Sequence, residues 1–364
     1  MRDRHAAYIT GFLDDLEERR WQAERPLDIV IARLPEIRTA HAWAEKRGDA
    51  VRAARLAAGL GDYWHREGHH SEGRPWVAAA LAHQDELDDH LVARLHLAAG
   101  IVEWPRDATA ARKHWERAVD AFRALGHDRY LAYSMALAAV THVGEAEGYA
   151  AALTLCDKGI ELARSSGDRA LTARALNMKG ELARVHGDDV LALAAYQEGR
   201  DLAAAAHDDG NLAIFLGNLS FLAEHRGDYQ EARRLSLEAL RLRWSLGRRM
   251  MAGWALAELA GAELGLGRAE LSARLIGAAV GSLSLAGVDR HPCDVPEYDR
   301  VVAGLREELG EDYFDRLRSE GASLSLDDAV ALALTDPGDA EPAGTATLDR
   351  LAEPHSPQPV PGGP

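Results

Sequence analysis

The stretch "EHRGDYQEARRLSLEAL", residues 224–240, decides the fold. It reads as the end of one helix, a Gly227-Asp228 hinge and an amphipathic second helix. Glycine fits a helix C-cap in the left-handed conformation, and aspartate can then accept from the free amides that open the next helix. The skeleton returns along the chain. Forty residues upstream stands Gly187-Asp188-Asp189, with Ala192 and Gly199 in the places of Ala232 and Ala239. Forty downstream stands Gly267-Arg268-Ala269, with Ser272 and Ala279. The copy "EGYAAALTLCDKGIELA" sets Tyr149 under Tyr229 and Ala152 under Ala232. Looser copies carry Ala111, Trp115 and Ala118, and before them Gly73, Val77 and Ala80. The anchors at 73, 111, 152, 192, 232 and 272 are separated by 38, 41, 40, 40 and 40 residues.

A fixed period of this size marks a solenoid, in which each helix hairpin buries its apolar face only by stacking on its neighbours. Small residues at Ala152, Ala192 and Ala232, and at Gly180, Ser220 and Ala260 before the hinges, let paired helices approach closely. Leu176, Leu216 and Leu256 recur as the apolar side of the preceding helix. Composition agrees: 47% of the 364 residues are hydrophobic but only 6% aromatic. Ala, Leu, Arg and Glu dominate, which favours helix over sheet. The fold class is all-α.

The net charge of −16 argues against a surface that holds a phosphate backbone, so direct nucleic-acid binding is not expected. Two cysteines, Cys156 and Cys293, cannot make a disulfide framework for a chain of this length. The N-terminus lacks the apolar run of a signal peptide, and no stretch reaches the ~18 apolar residues of a membrane span. A soluble, cytoplasmic protein is expected.

The small-residue helix contact, the Gly-Asp-Tyr hinge and the alanines after it resemble the tetratricopeptide repeat, although that family's repeat is shorter. The flanks narrow the resemblance. Residues 33–81 carry Pro35-Glu36-Ile37-Arg38-Thr39-Ala40, Trp43, Gly48-Asp49, Trp64, Gly68-His69, Glu72-Gly73-Arg74 and Trp76. They resemble the segment that opens the repeat arm of large bacterial ATP-binding (STAND-like) transcriptional regulators of the LuxR and SARP kinds. Pro75 and Thr39 depart from that pattern. Residues 273–287 and 296–334, with Leu309-Gly310, Phe314, Gly321 and Leu326-Asp327-Asp328-Ala329-Val330, resemble the terminal cap of the same arms. The resulting division is a helical N-terminal segment over 1–104, repeats over 105–287, a helical cap over 288–335 and a Pro/Gly-rich tail over 336–364, expected to be disordered. The sequence given contains no GxxxxGK[ST] phosphate loop and no recognisable helix-turn-helix. The resemblance therefore implies a sensing arm whose ATPase and DNA-binding parts are separate or missing. A standalone adaptor for a partner protein is the alternative, and Met1 with the Pro-rich close reads in its favour as a pair of chain ends.

No catalytic set assembles by motif, and no enzyme, metal or cofactor is expected. "WHREGHHSEG" gathers His65, Glu67, His69, His70 and Glu72, but Gly68 should end the helix between the i,i+4 histidines, which leaves a polar turn. "DRHPCDVPEY" offers His291, Cys293 and Asp294 without a partnering pair, and reads as a Pro-bounded connector. Cys156 falls at a core position of the repeat. Arg233, Arg234, Arg241, Arg243, Arg248 and Arg249 interleave with Glu231 and Glu238 and read as a solvated face, with the last two suiting a helix C-terminus.

The functional surface is expected on the first helix of each hairpin, which lines the concave side of tetratricopeptide solenoids. Spacing of three to four residues keeps one stripe on one face. That stripe reads Arg174, Asn177, Glu181 and Arg184 in one repeat, then Ile214, Gly217, Asn218, Phe221 and Glu224, with Trp254 heading the third. Such residues suit a groove for a protein or peptide partner, or for a small-molecule effector.

Overall fold

The computed structural model describes residues 1–18, 26–145, 147–285 and 291–335. Among them every regular element is a helix. The N-terminal part holds α1 (Arg2–Glu18), α2 (Pro26–Ala32), α3 (Leu34–Arg47), α4 (Ala50–Gly59), α5 (Gly61–Glu67) and α6 (His70–Leu81). Antiparallel hairpins follow: α7 (Asp89–Glu103) with α8 (Ala108–Leu125), and α9 (Asp128–Val140) with α10 (Tyr149–Ser165). Next come α11 (Arg169–His186) with α12 (Asp189–Ala205), α13 (Asp209–His225) with α14 (Tyr229–Ser245), and α15 (Arg249–Gly265) with α16 (Ala269–Leu285). The described residues close with α17 (Val295–Leu309), α18 (Glu311–Ala322) and α19 (Leu326–Leu334), and the Pro/Gly-rich tail over 336–364 lies outside them. This is an α-solenoid of tetratricopeptide-like hairpins.

The hinges behave as their chemistry requires. Gly187, Gly227 and Gly267 take positive φ of 85°, 75° and 76°, a region closed to most side chains. Asp168, Asp188, Asp208 and Asp228 each accept the amide three residues on and cap the helix that follows. Residue volumes are matched between paired helices. A methyl placed on Gly180 would lie 2.2 Å from the Tyr196 ring, and one on Gly100 would lie 2.3 Å from Trp115. Gly277 and Gly321 let α16 and α18 touch backbone to backbone, which seats the cap on the last hairpin. Cys156 is fully buried, as its place in the repeat requires.

The two helices of a hairpin are buried differently. In α12 only Ala192, Ala195, Tyr196, Gly199 and Ala203 are covered, one stripe of an outer helix. In α13 every residue from Phe215 to Glu224 is buried. An inner helix covered on all sides means that the concave face is not open to solvent. The solenoid coils tightly enough for its own ends to fill the axis: α5 lies against α11 and α13 on one side, and residues 291–300 against α11, α13 and α15 on the other.

Candidate functional site

The stripe residues do share one inner face, but they divide into two kinds of environment. On α11 the arginines and Asn177 of the stripe are engaged within the chain. Arg174 forms a two-pronged pair with Asp62 of α5 at 2.8 and 3.0 Å, while Arg66 donates to Asn211 at 3.0 Å. Asn218 donates to Asn177 at 2.8 Å, and Asn177 donates to Glu181 at 2.9 Å. Arg184, its side chain 0% exposed, binds Glu297 at 2.8 Å, Asp294 at 2.9 Å and the Cys293 carbonyl at 3.2 Å, and lies over the Phe221 ring. Asn177 and Asn218 therefore hold each other rather than waiting for a peptide backbone.

Burial opposes the Glu297 charge, but the His225 hydrogen bond and the Arg184 charge outweigh it and bring the carboxyl down to about 2. His225 is in turn raised by its bond to Glu297. The arrangement is a buried charge network in which each anion has a fixed cationic donor, the condition under which such a network is tolerated.

Between α13, α15, α16 and α17 the inner face leaves a cavity of ≈ 350 Å³. Phe221, Trp254 and Tyr298 supply its aromatic walls, and Glu224, Glu258 and Glu297 its carboxylates. Gly217 and Gly261 make room for two of these: a methyl on Gly217 would meet the Glu258 carboxylate at 2.5 Å, and one on Gly261 the Glu224 carboxylate at 2.3 Å. Glu258 is held by Arg243 at 2.8 Å to both oxygens. Glu224 receives Arg300 on Oε2 at 2.7 Å, whereas its buried Oε1 has no hydrogen-bond partner. Burial pushes Glu224 up to about 7. The Trp254 Nε1 donor is likewise buried without an acceptor. Unmet buried polar groups cost about 1–3 kcal/mol each, and both residues that carry them stand in the wall of this cavity, with the two atoms themselves turned into the protein.

Three sequence readings need correction. The arginine run is not a solvated face throughout: Arg233 and Arg243 are buried on Glu263 and Glu258, whereas Arg241 is exposed and Arg234 pairs with Glu231 and Glu238 at the surface, as expected. Arg248 and Arg249 open α15 rather than close α14. Arg248 reaches Glu67 and Asp28, and Arg249 reaches Asp327 of α19. The "WHREGHHSEG" stretch is not a polar turn. Gly68 does end α5, with φ of 72°, but Glu67 and His70 are buried. Burial, reinforced by nearby positive charge, lowers both His65 and His70 to about 3. Nor is 291–294 a bare connector, because Cys293 is fully buried against the inner face.

No protein-family model matches the sequence, and a search of curated proteins finds no relative. Among solved structures the chain is similar to a Signal Transduction ATPase with Numerous Domains (STAND) protein from Pyrococcus horikoshii that has a tetratricopeptide repeat sensor. The identity is 15%, the TM-score 0.50, and the match covers 86% of this chain and 50% of that one. The chain thus spans about half the length of that protein, and at this identity the likeness speaks for the fold. Among the described residues no helix is long and apolar enough to cross a membrane.

Proposed function

We propose that this chain is a non-enzymatic, cytoplasmic binding solenoid, the sensing arm of a bacterial transcriptional regulator of the LuxR/SARP kind, and that its effector occupies the cavity beside α17. The observation that carries the reading is a cavity with aromatic walls whose lining residues Glu224 and Trp254 each keep a buried polar atom, Oε1 and Nε1, without a partner. A small, partly apolar molecule with one hydrogen-bond donor and one acceptor would satisfy both once the two side chains turn toward it. An amine donor near Glu224 also competes with Arg300, which belongs to α17. Effector binding would then alter how α17 is seated, and an attached or separate ATPase would feel the change through differential affinity for the two seatings. The open peptide groove of an adaptor fits less well, because Asn177 and Asn218 are saturated internally.

The test is a thermal-unfolding screen with small amines of aromatic and aliphatic type, tryptamine, tyramine and spermidine among them. One class should raise the Tm of the wild-type chain and leave Trp254→Ala and Glu224→Gln unmoved. Equal stabilisation of wild type and both variants, or none in any, would refute the pocket.

A further inference from the structure

Glu181, His291 and Cys293 bring a carboxylate oxygen, a ring nitrogen and a sulfur within 4.8 Å of one another. Two donors of the sequence stretch that read as a connector therefore meet a carboxylate of the inner stripe. His291 and Cys293 come from the turn before α17, and Glu181 comes from the inner face of α11. The donor set is already directed inward. Glu181 is 5% exposed, and its Oε2 accepts no hydrogen bond while lying 3.8 Å from His291 Nδ1. His70, also 5% exposed, keeps a buried Nδ1 without a partner.

We propose that Glu181, His291 and Cys293 form a binding site for zinc(II). Carboxylate, imidazole and thiolate are the donors this borderline ion takes together. Metal–ligand bonds of ~2.0–2.3 Å at tetrahedral angles put donor atoms roughly 3.3–3.8 Å apart, so the observed trio closes onto an ion with shifts of the order of 1 Å. The neighbouring Arg184 does not oppose the cation with a free charge, since Asp294 and Glu297 both hold it. Binding would tie the turn before α17 to the middle of the solenoid. His291 also lines the ≈ 350 Å³ cavity, so the ion would stand at its edge. The site does not depend on what fills that cavity.

The test uses the full chain, free of any histidine tag and stripped with a chelator, titrated with cobalt(II) as the spectroscopic probe. One equivalent should bind with a thiolate-to-cobalt charge-transfer band that zinc(II) then displaces. Cys156→Ala, which alters the other cysteine, should retain the band. Cys293→Ser should lose it, and Glu181→Gln should weaken binding at least ~10-fold, each with wild-type helical circular dichroism. Should Cys293→Ser fail to fold, Glu181→Gln decides alone, since it keeps the side chain's shape. Absence of stoichiometric cobalt binding, or an unchanged spectrum in Cys293→Ser, or unchanged affinity in Glu181→Gln, would overturn the site.

Discussion

The inner faces of α11 and of α13–α15 occupy equivalent places in successive repeats, yet they end in opposite states. On α11, Arg174 and Arg184 reach outward in opposite directions, to Asp62 near the beginning of the chain and to Glu297 near its end. Every cation there has its anion. On α13 and α15, glycines at 217 and 261 pull the opposing carboxylates aside, and a cavity remains with Glu224 and Trp254 incompletely paired. One half of the concave face is a clamp and the other half is a receptacle. The repeat supplies the same backbone to both; side-chain size and charge decide which it becomes.

The clamp can be broken most severely at Arg184. Arg184→Met removes the buried donor of Glu297 and Asp294, leaving Glu297 to His225 and Arg300, and should cost about 3 kcal/mol by urea unfolding. The equivalent change at the exposed Arg234 should cost less than about 1 kcal/mol.

Acid should dismantle the molecule in two stages. His41, stacked on Trp76 near Glu45 and Glu72, and His96, facing His114 and Arg117, are both lowered to about 4, mainly by burial. A folded pKa below the unfolded value means the folded state binds fewer protons. Stability is then full above pH 6.5 and is lost as pH falls toward 4, by on the order of 2 kcal/mol. Glu297 contributes its stability above pH 4.5 and loses it only as pH falls toward 2. A Tm–pH profile should therefore weaken first through the buried histidines, His41 and His96 together with His65 and His70, and His41→Phe should reduce the slope of that upper part and leave the lower part unchanged.

Packing between paired helices gives a smaller effect. Gly180→Ala drives a methyl into Tyr196 and should cost about 1–3 kcal/mol in urea unfolding. Gly261→Ala meets the movable end of Glu224 instead, so it should cost less stability while abolishing effector binding in the thermal screen. Smallest is the hinge: Asp228→Ala removes one cap, worth ~1 kcal/mol in the same assay.

What the sequence made legible was local. The Gly-Asp hinges, the small residues at 152, 192 and 232, and the burial of Cys156 all follow from contacts within one hairpin or between neighbours. What it hid lies between residues far apart in the chain. Arg248 looks like a helix-end arginine until Glu67 and Asp28 arrive beside it from the other end of the molecule. Arg243 looks solvated because nothing in its own helix reveals that Glu258 will face it. The histidine motif and the Cys293 turn were each uninformative alone, since their partners lie far off in the chain: Arg248 for Glu67, and Glu181 and Arg184 for the turn. The stripe positions were countable from the hinges, but whether solvent or the chain's own ends would cover them was not, because superhelical pitch is a small per-repeat rotation summed over many repeats.

Amide exchange followed by mass spectrometry, on wild type, Arg184→Ala and Arg174→Ala, tests the clamp most directly. If the ends of the chain are held separately by the two arginines, Arg184→Ala should deprotect residues 291–309 and leave α5 unchanged. Arg174→Ala should deprotect α5 and leave α17 unchanged, with α8 and α10 protected in both. Uniform loss along the whole solenoid, or full protection of 291–309 without Arg184, would contradict a concave face clamped by its own termini.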